Sequence, residues 1–167
     1  LHLLGVVACQ RGNNEAGIEY MRRAIAIDDT DAAFHNNLGD AYRNVGRMPE
    51  AVACYRRALE LKPDYVRAYN NLGSAFHRQG RLEEAVACYR RALDLEPDFA
   101  DACGNLGNAL KEQGKLDEAV ACYRRALELE PAFVEAQTNL GVALRDQGKL
   151  DEAVACYRRA LELKPGF

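Results

Sequence analysis

Residues 50–63 read EAVACYRRALELKP, and residues 152–165 repeat the same letters. Residues 84–97 (EAVACYRRALDLEP) and 118–131 (EAVACYRRALELEP) are further copies, each beginning 34 residues after the last. Within a copy, Ala85, Cys88, Tyr89 and Ala92 follow the three-and-four spacing of one helical face. Acids precede or open it at Glu83-Glu84, Asp117-Glu118 and Asp151-Glu152, where a helix N-terminus favours negative charge. Pro49 suits a first helical turn, and Pro63, Pro97, Pro131 and Pro165 stop the helix because proline lacks the N–H to continue it. Each copy is therefore a helix with one apolar face.

Upstream of each copy lies a second amphipathic stretch: HNNLGDAYRNVG (35–46), YNNLGSAFHRQG (69–80), CGNLGNALKEQG (103–114) and QTNLGVALRDQG (137–148). The pair Leu-Gly recurs in step at Leu4-Gly5, Leu38-Gly39, Leu72-Gly73, Leu106-Gly107 and Leu140-Gly141. Gly12, Gly46, Gly80, Gly114 and Gly148 follow, each suited to a helix C-terminus with positive φ. The unit is a helical hairpin, ten helices are expected, and no strand pattern appears. One hairpin cannot bury its apolar stripe alone, so neighbours must stack.

The wider composition agrees. With 167 residues, 49% hydrophobic and 28% charged, the chain fits a folded domain rather than a disordered one. No run approaches the roughly 18 apolar residues of a membrane helix, so no membrane role is expected. The net charge of −3 argues against a dedicated nucleic-acid binder.

Leu-Gly, then Tyr42, Phe76, Leu110 or Leu144, then Ala51, Tyr55, Ala58 and Pro63 with their 34-residue counterparts, resembles the tetratricopeptide repeat (TPR). The likeness covers essentially the whole chain and implies an all-α, right-handed solenoid of five helix-turn-helix repeats. These are residues 1–31 (degenerate), 32–65, 66–99, 100–133 and 134–167 of a single array. The large aromatic that opens the family motif is present as Tyr69, with His35, Cys103 and Gln137 in its place elsewhere. The first repeat carries Gly17, Met21 and Asp29 where Ala51, Tyr55 and Pro63 recur. No capping helix follows Pro165, so the chain is expected to be a segment of a longer protein. The bare ends, Leu1 and Leu4 at one and Tyr157 and Leu161 at the other, suggest weak head-to-tail self-association.

Side chains capable of chemistry are scattered. Cys54, Cys88, Cys122 and Cys156 stand one repeat apart, roughly a helix-packing distance of 10 Å, beyond the about 7 Å that a disulfide spans. They are expected to be packed thiols, and so many of them suggest a reducing, cytoplasmic compartment. His2, His35 and His77 share no i,i+4 spacing for a metal. His77 with Cys88 lacks an orienting group, and Gly104 to Gly107 lies inside a helix rather than in a phosphate loop. Neither enzyme nor cofactor is expected. The arginine pairs from Arg22-Arg23 to Arg158-Arg159 would make a polyanion-binding stripe, but Glu60, Asp94, Glu128 and Glu162 stand four residues after the first arginine of a pair and are expected to neutralise it.

Function is expected on the first helices, where the repeats differ, because the second helices barely vary. The TPR resemblance places the first helices along a concave groove for extended peptides. Asn37, Asn71, Asn105 and Asn139 form one column there, extended by Asn36 and Asn70 and broken at Gly104 and Thr138. An amide can both donate to and accept from a peptide backbone of any sequence. The column and the NNLG and NLGNALKEQGKLDEA segments are similar to the TPR superhelix of O-linked N-acetylglucosamine transferases, which makes the substrate-recognition arm of such an enzyme the alternative function. Arg43, His77, Lys111 and Arg145 form a basic column suited to polar or acidic peptides, whereas the carboxylate clamp of chaperone-binding TPRs is absent.

Overall fold

The computed structural model describes residues 1–164; Pro165, expected to stop the last helix, lies outside the described residues with Gly166 and Phe167. Ten helices and no strand occur among the described residues: α1 (His2–Gln10), α2 (Asn14–Ile27), α3 (Ala32–Asn44), α4 (Met48–Leu61), α5 (Val66–Arg78), α6 (Leu82–Leu95), α7 (Ala100–Glu112), α8 (Leu116–Leu129), α9 (Val134–Asp146) and α10 (Leu150–Leu163). The chain divides into two units, Leu1–Arg81 and Leu82–Phe167. In the first, α1 pairs with α2 and α3 with α4, while α2 packs on α3 and α4 on α5. In the second, α7 pairs with α8 and α9 with α10, with α6 on α7 and α8 on α9.

The turns inside the hairpins explain why glycine recurs. Gly46 has φ +79°, its N–H donates to the Arg43 carbonyl at 3.1 Å, and the next N–H, of Arg47, reaches back to the Tyr42 carbonyl at 2.9 Å. That is a Schellman stop, which satisfies two carbonyls of the last turn and needs a left-handed residue between them. Gly114 repeats it, with Lys115 donating to Leu110 at 2.9 Å. The apolar contact that usually closes this motif is replaced in the first unit by a cation over a ring: Arg47 lies 4.7 Å from the Tyr42 centroid and Arg81 4.3 Å from that of Phe76. Asp31 opens α3 by accepting the Ala33 N–H at 2.8 Å, and Pro49 sits in the first turn of α4.

The hairpins close through a tyrosine of the second helix lying against a glycine of the first. Tyr55 and Tyr123 are wholly buried. A Cβ on Gly39 would come within 2.6 Å of the Tyr55 ring, and one on Gly107 within 2.6 Å of Tyr123. Small neighbours let the ring seat: Ala51, Ala58, Ala119 and Ala126 have no exposed surface. The Leu-Gly pair is thus a packing signal, with leucine filling the core and glycine admitting the ring.

The degenerate first repeat solves the same problem differently. Met21 takes the tyrosine's place and is 2% exposed; a Cβ on Gly5 would meet its Cγ at 2.6 Å and the Gly17 carbonyl at 2.9 Å. Gly17 faces back onto Gly5 and Cys9, so two helix backbones approach where a ring would stand between them. α1 packs on α2 but is thinly covered elsewhere: its only buried residue is Gly5, and Leu3 and Leu4 are 77% and 58% exposed.

Two outcomes follow. Gly107→Ala gains roughly 1 kcal/mol of helix propensity but forces a methyl into a ring that has no room to move. Overpacking of this kind costs about 1–3 kcal/mol, so urea unfolding of the variant is expected to show net destabilisation. The amides of α1 are expected to exchange fastest among the helices, since little buried surface opposes local opening; protection of α1 equal to that of α3 would contradict this.

Candidate functional site

In each unit the first and second helices occupy opposite faces. α3 touches both α1 and α5, and α7 touches α9, whereas α2 and α4, or α8 and α10, make no comparable contact. The first helices therefore line the tighter, inner side of each unit, and the expected site residues lie on them.

In the first unit these residues form one polar network. The Asn71 amide donates to Asn36 Oδ1 at 3.1 Å and to Asp40 Oδ2 at 3.5 Å, and its own oxygen accepts from Arg43 Nη1 at 3.4 Å. Asp40 Oδ1 accepts the Tyr55 hydroxyl at 2.8 Å and pairs with Arg43 Nη2 at 3.1 Å. Asn36 is wholly buried and Asn71 8% exposed. Asn36 is therefore a correction to the expected groove: it faces the interior, where it holds the next repeat's asparagine. Asn37, Asn70, Arg43 and His77 are half-buried. At the first junction Val6 stands where Asp40 recurs, so the Asn37 amide meets His2 Nε2 at 3.2 Å, and a hollow of about 210 Å³ opens beside Val6, Gln10, Asp40 and Asn44.

The second unit repeats the design with a neutral acceptor. Asn108 Oδ1 takes the Tyr123 hydroxyl at 2.8 Å and the Asn139 amide at 2.9 Å. Asn105, Asn108, Glu135 and Asn139 line a shallow hollow. Lys111 is half-buried and makes no ion pair among the described residues, whereas Arg145 turns to Asp146, with Nη2 at 2.9 Å. Of the basic column, then, Arg43 is engaged by Asp40 and Asn71 and Arg145 by its sequence neighbour, while half-buried Lys111 has no ion pair among the described residues.

Asp40 and Asn108 were not singled out in the sequence, although they share a column with Ser74 and Val142. Its signal was a side-chain oxygen three residues after the asparagine in the three middle repeats. The acceptor does two jobs, satisfying a buried phenol and tying one repeat to the next. Burial raises the Asp40 carboxyl above the ordinary aspartate value, although Tyr55, Arg43 and Arg67 pull against it. It raises the Tyr55 and Tyr123 phenols too, so they stay neutral donors.

All six cysteines are free thiols, and burial pushes Cys54 and Cys122 up to about 11, leaving them protonated and unreactive near neutrality. His35 meets the Asp29 carbonyl at 3.0 Å, and His2 stacks on Phe34 with ring centres 4.0 Å apart. Part of the arginine stripe is neutralised, by different partners from those expected. It is the second arginine that meets the acid three residues on, as in Arg57–Glu60 and Arg125–Glu128, each at 3.1 Å. The first reaches the next second helix instead, as Arg90–Glu118 and Arg124–Glu152, each at 3.0 Å. One helical turn brings i+3 under the second arginine, and stacking brings i+28 under the first.

A 34-residue hairpin closed by a ring on a glycine is the tetratricopeptide architecture, and the sequence patterns described as TPR repeat and tetratricopeptide repeat match residues 39–80, 73–114 and 105–166. The chain belongs to the tetratricopeptide repeat family, a fold of protein-interaction scaffolds. No curated protein matches it. Among solved structures it is similar to MamA, at 26% identity and a TM-score of 0.86 over 96% of this chain and 94% of that one. It is also similar in fold to pilF of Pseudomonas aeruginosa, at 24% identity and TM-score 0.90 over 99% and 75%. YrrB, described as a TPR protein with an unusual peptide-binding site, matches at 20% identity and TM-score 0.78 over 99% and 85%. No helix among the described residues is long and apolar enough to cross a membrane.

The raised Asp40 carboxyl predicts a pH effect with a definite sign. Its protonated form is favoured in the fold, so its contribution is complete below the ordinary aspartate value near 4 and is lost as pH rises through the raised one. Asp40→Asn copies Asn108 and removes that loss. The stability of the variant relative to the parent, from urea unfolding at successive pH values, should rise from about pH 4 upward and then level; a constant difference would contradict the assignment.

Proposed function

We propose that the chain is a non-catalytic scaffold that holds an extended peptide along the first-helix face of its units. The carrying observation is where its repeats differ. The second helices are nearly identical copies, while the first helices keep their apolar positions and change their polar ones. The varied side chains lie on the side where neighbouring first helices touch. Scaffold positions are constrained by packing, so the polar variation at first-helix positions that are not buried, as at Arg43, Asn70, His77, Lys111 and Arg145, points to adjustment for a ligand. Each unit carries its own stretch of the face, Asn37, Asn70 and Arg43 in the first and Asn105, Lys111 and Asn139 in the second. Asn139 uses one amide hydrogen on Asn108, which fixes the side chain and leaves its other polar groups for a peptide backbone. Lys111 would select acidic or polar side chains. YrrB, whose fold this chain shares, is described as having a peptide-binding site, which accords with the reading.

A cytoplasmic setting accords with the free thiols. The alternative, a substrate-recognition arm of a glycosyltransferase of the O-linked N-acetylglucosamine type, rests on the NLGNALKEQGKLDEA segment and the asparagine column. A glycosyltransferase domain in the same gene product would decide for it.

Peptides selected from a random display library supply the test. Asn105→Ala with Asn139→Ala is expected to weaken unrelated selected peptides by a similar factor, because the amides grip backbone. Lys111→Glu is expected to change which peptides are selected, with acidic ones lost. Unchanged affinities in the double variant, alongside a lowered melting temperature, would leave the column a purely structural device.

A further inference from the structure

At α2 the outer face of the first unit lacks the bridges between stacked second helices that the second unit makes. In the second unit, stacked second helices are bridged by an arginine and the acid 28 residues on, Arg90–Glu118 and Arg124–Glu152. The same offset in the first unit joins Arg22 to Glu50. That bridge is not made, because Arg47 holds Glu50 Oε1 with Nε at 2.8 Å and Nη2 at 2.7 Å. A second acid is missing by sequence: Arg57, Arg125 and Arg159 each donate to the glutamate three residues on, but Arg23 has Ala26 there. Among the described residues Arg22 and Arg23, one turn after Glu19, make no ion pair, so their guanidinium charges stand unmatched at this edge of α2.

Beneath it a cleft of about 420 Å³ separates α2 from α4. Arg22 stands at its rim; Leu38 and Tyr42 of α3 form the floor, and Ile25 and Cys54 the walls, with Ala53 at the edge. The lining is mostly apolar, and its polar members are largely spoken for. His35 is at the Asp29 carbonyl, Glu50 is neutralised by Arg47, and burial keeps the Cys54 thiol protonated. A dry cavity of about 150 Å³ already holds a benzene ring, so this one has room for a large side chain. An unpaired guanidinium beside it offers the fork that matches a carboxylate.

We propose that this cleft is a second binding site, separate from the first-helix face, for a protein segment in which an acidic residue adjoins a large apolar one. The carboxylate pairs with Arg22, and the apolar side chain covers Leu38 and Tyr42. The charge commits the site to an acidic neighbour: an apolar segment alone would leave Arg22 and Arg23 unmatched, and a simple anion would leave the floor bare.

The whole chain, labelled with ¹⁵N, can be titrated with Ac-Glu-Phe-NH₂, Ac-Gln-Phe-NH₂ and Ac-Glu-Ala-NH₂. The first is expected to give saturable shifts at Ile25, Leu38, Tyr42 and Ala53, with each of the others at least about fivefold weaker. Ala26→Glu, which restores the acid of the other repeats at the margin of the cleft, should weaken Ac-Glu-Phe-NH₂ more than Ac-Gln-Phe-NH₂ and bring the two toward one level. Arg22→Gln should do the same, and guards against a folding defect in the first variant, though Ala26 is exposed. Equal binding of the Glu and Gln peptides would mean apolar docking without charge and overturn the proposal. So would shifts indifferent to Ala26→Glu and Arg22→Gln, or no saturable shift at these residues. Asn105→Ala with Asn139→Ala should not alter these shifts, so failure here and failure of the first-helix reading are separately visible.

Discussion

A tyrosine ring seated on a glycine backbone is the contact on which each regular hairpin depends. Gly39 under Tyr55 and Gly107 under Tyr123 let the two helices close to a distance that no side chain at the glycine would permit. Burying a phenol this deeply creates a second requirement, because its hydroxyl must find an acceptor inside. Asp40 and Asn108 supply it, and the same oxygen atoms or their neighbours receive the amide of the following repeat, Asn71 or Asn139. Closing one hairpin and stacking the next are thus joined in one polar cluster.

That coupling bears on function. Part of the asparagine column is committed to holding repeats together, and Asn36 is consumed by it entirely. An amide anchored by one hydrogen bond has lost most of its rotamer freedom before any ligand arrives, so a peptide that accepts its remaining groups would order little that is not already ordered. The structural and ligand-binding roles of Asn139 are compatible for that reason. Where the acceptor is lacking, as at Val6, the asparagine turns to His2 and a hollow opens instead.

Much of this was legible in the sequence because it is periodic and local. The Schellman turn needs a left-handed residue, so Gly46 and its counterparts marked the hairpin turns; the proline and acid positions marked the helix ends. What was not legible depends on stacking. Nothing in the order of residues says that Arg90 reaches Glu118 rather than Asp94, since that follows from how far apart two stacked helices sit. Asn36 and Asn37 are adjacent amides, and only helix rotation decides that the first turns inward. Asp40, Ser74, Asn108 and Val142 look like a variable column, so the acceptor role of Asp40 and Asn108 was hidden among residues of changing chemistry. In the first repeat, Gly17 and Met21 read as losses, whereas together with Gly5 they form a closer backbone contact.

An extended peptide selected by the whole chain is held along the first helices, while the copied second helices of the second unit build the scaffold behind it. Hydrogen exchange of the whole chain, with and without a saturating library-selected peptide, tests this most directly. New protection is expected on α7 and α9, or on α3 and α5, at the turns bearing the asparagines and the basic column, with α8 and α10 unaltered. Protection concentrated on α8 and α10, or spread evenly over all helices, would contradict it.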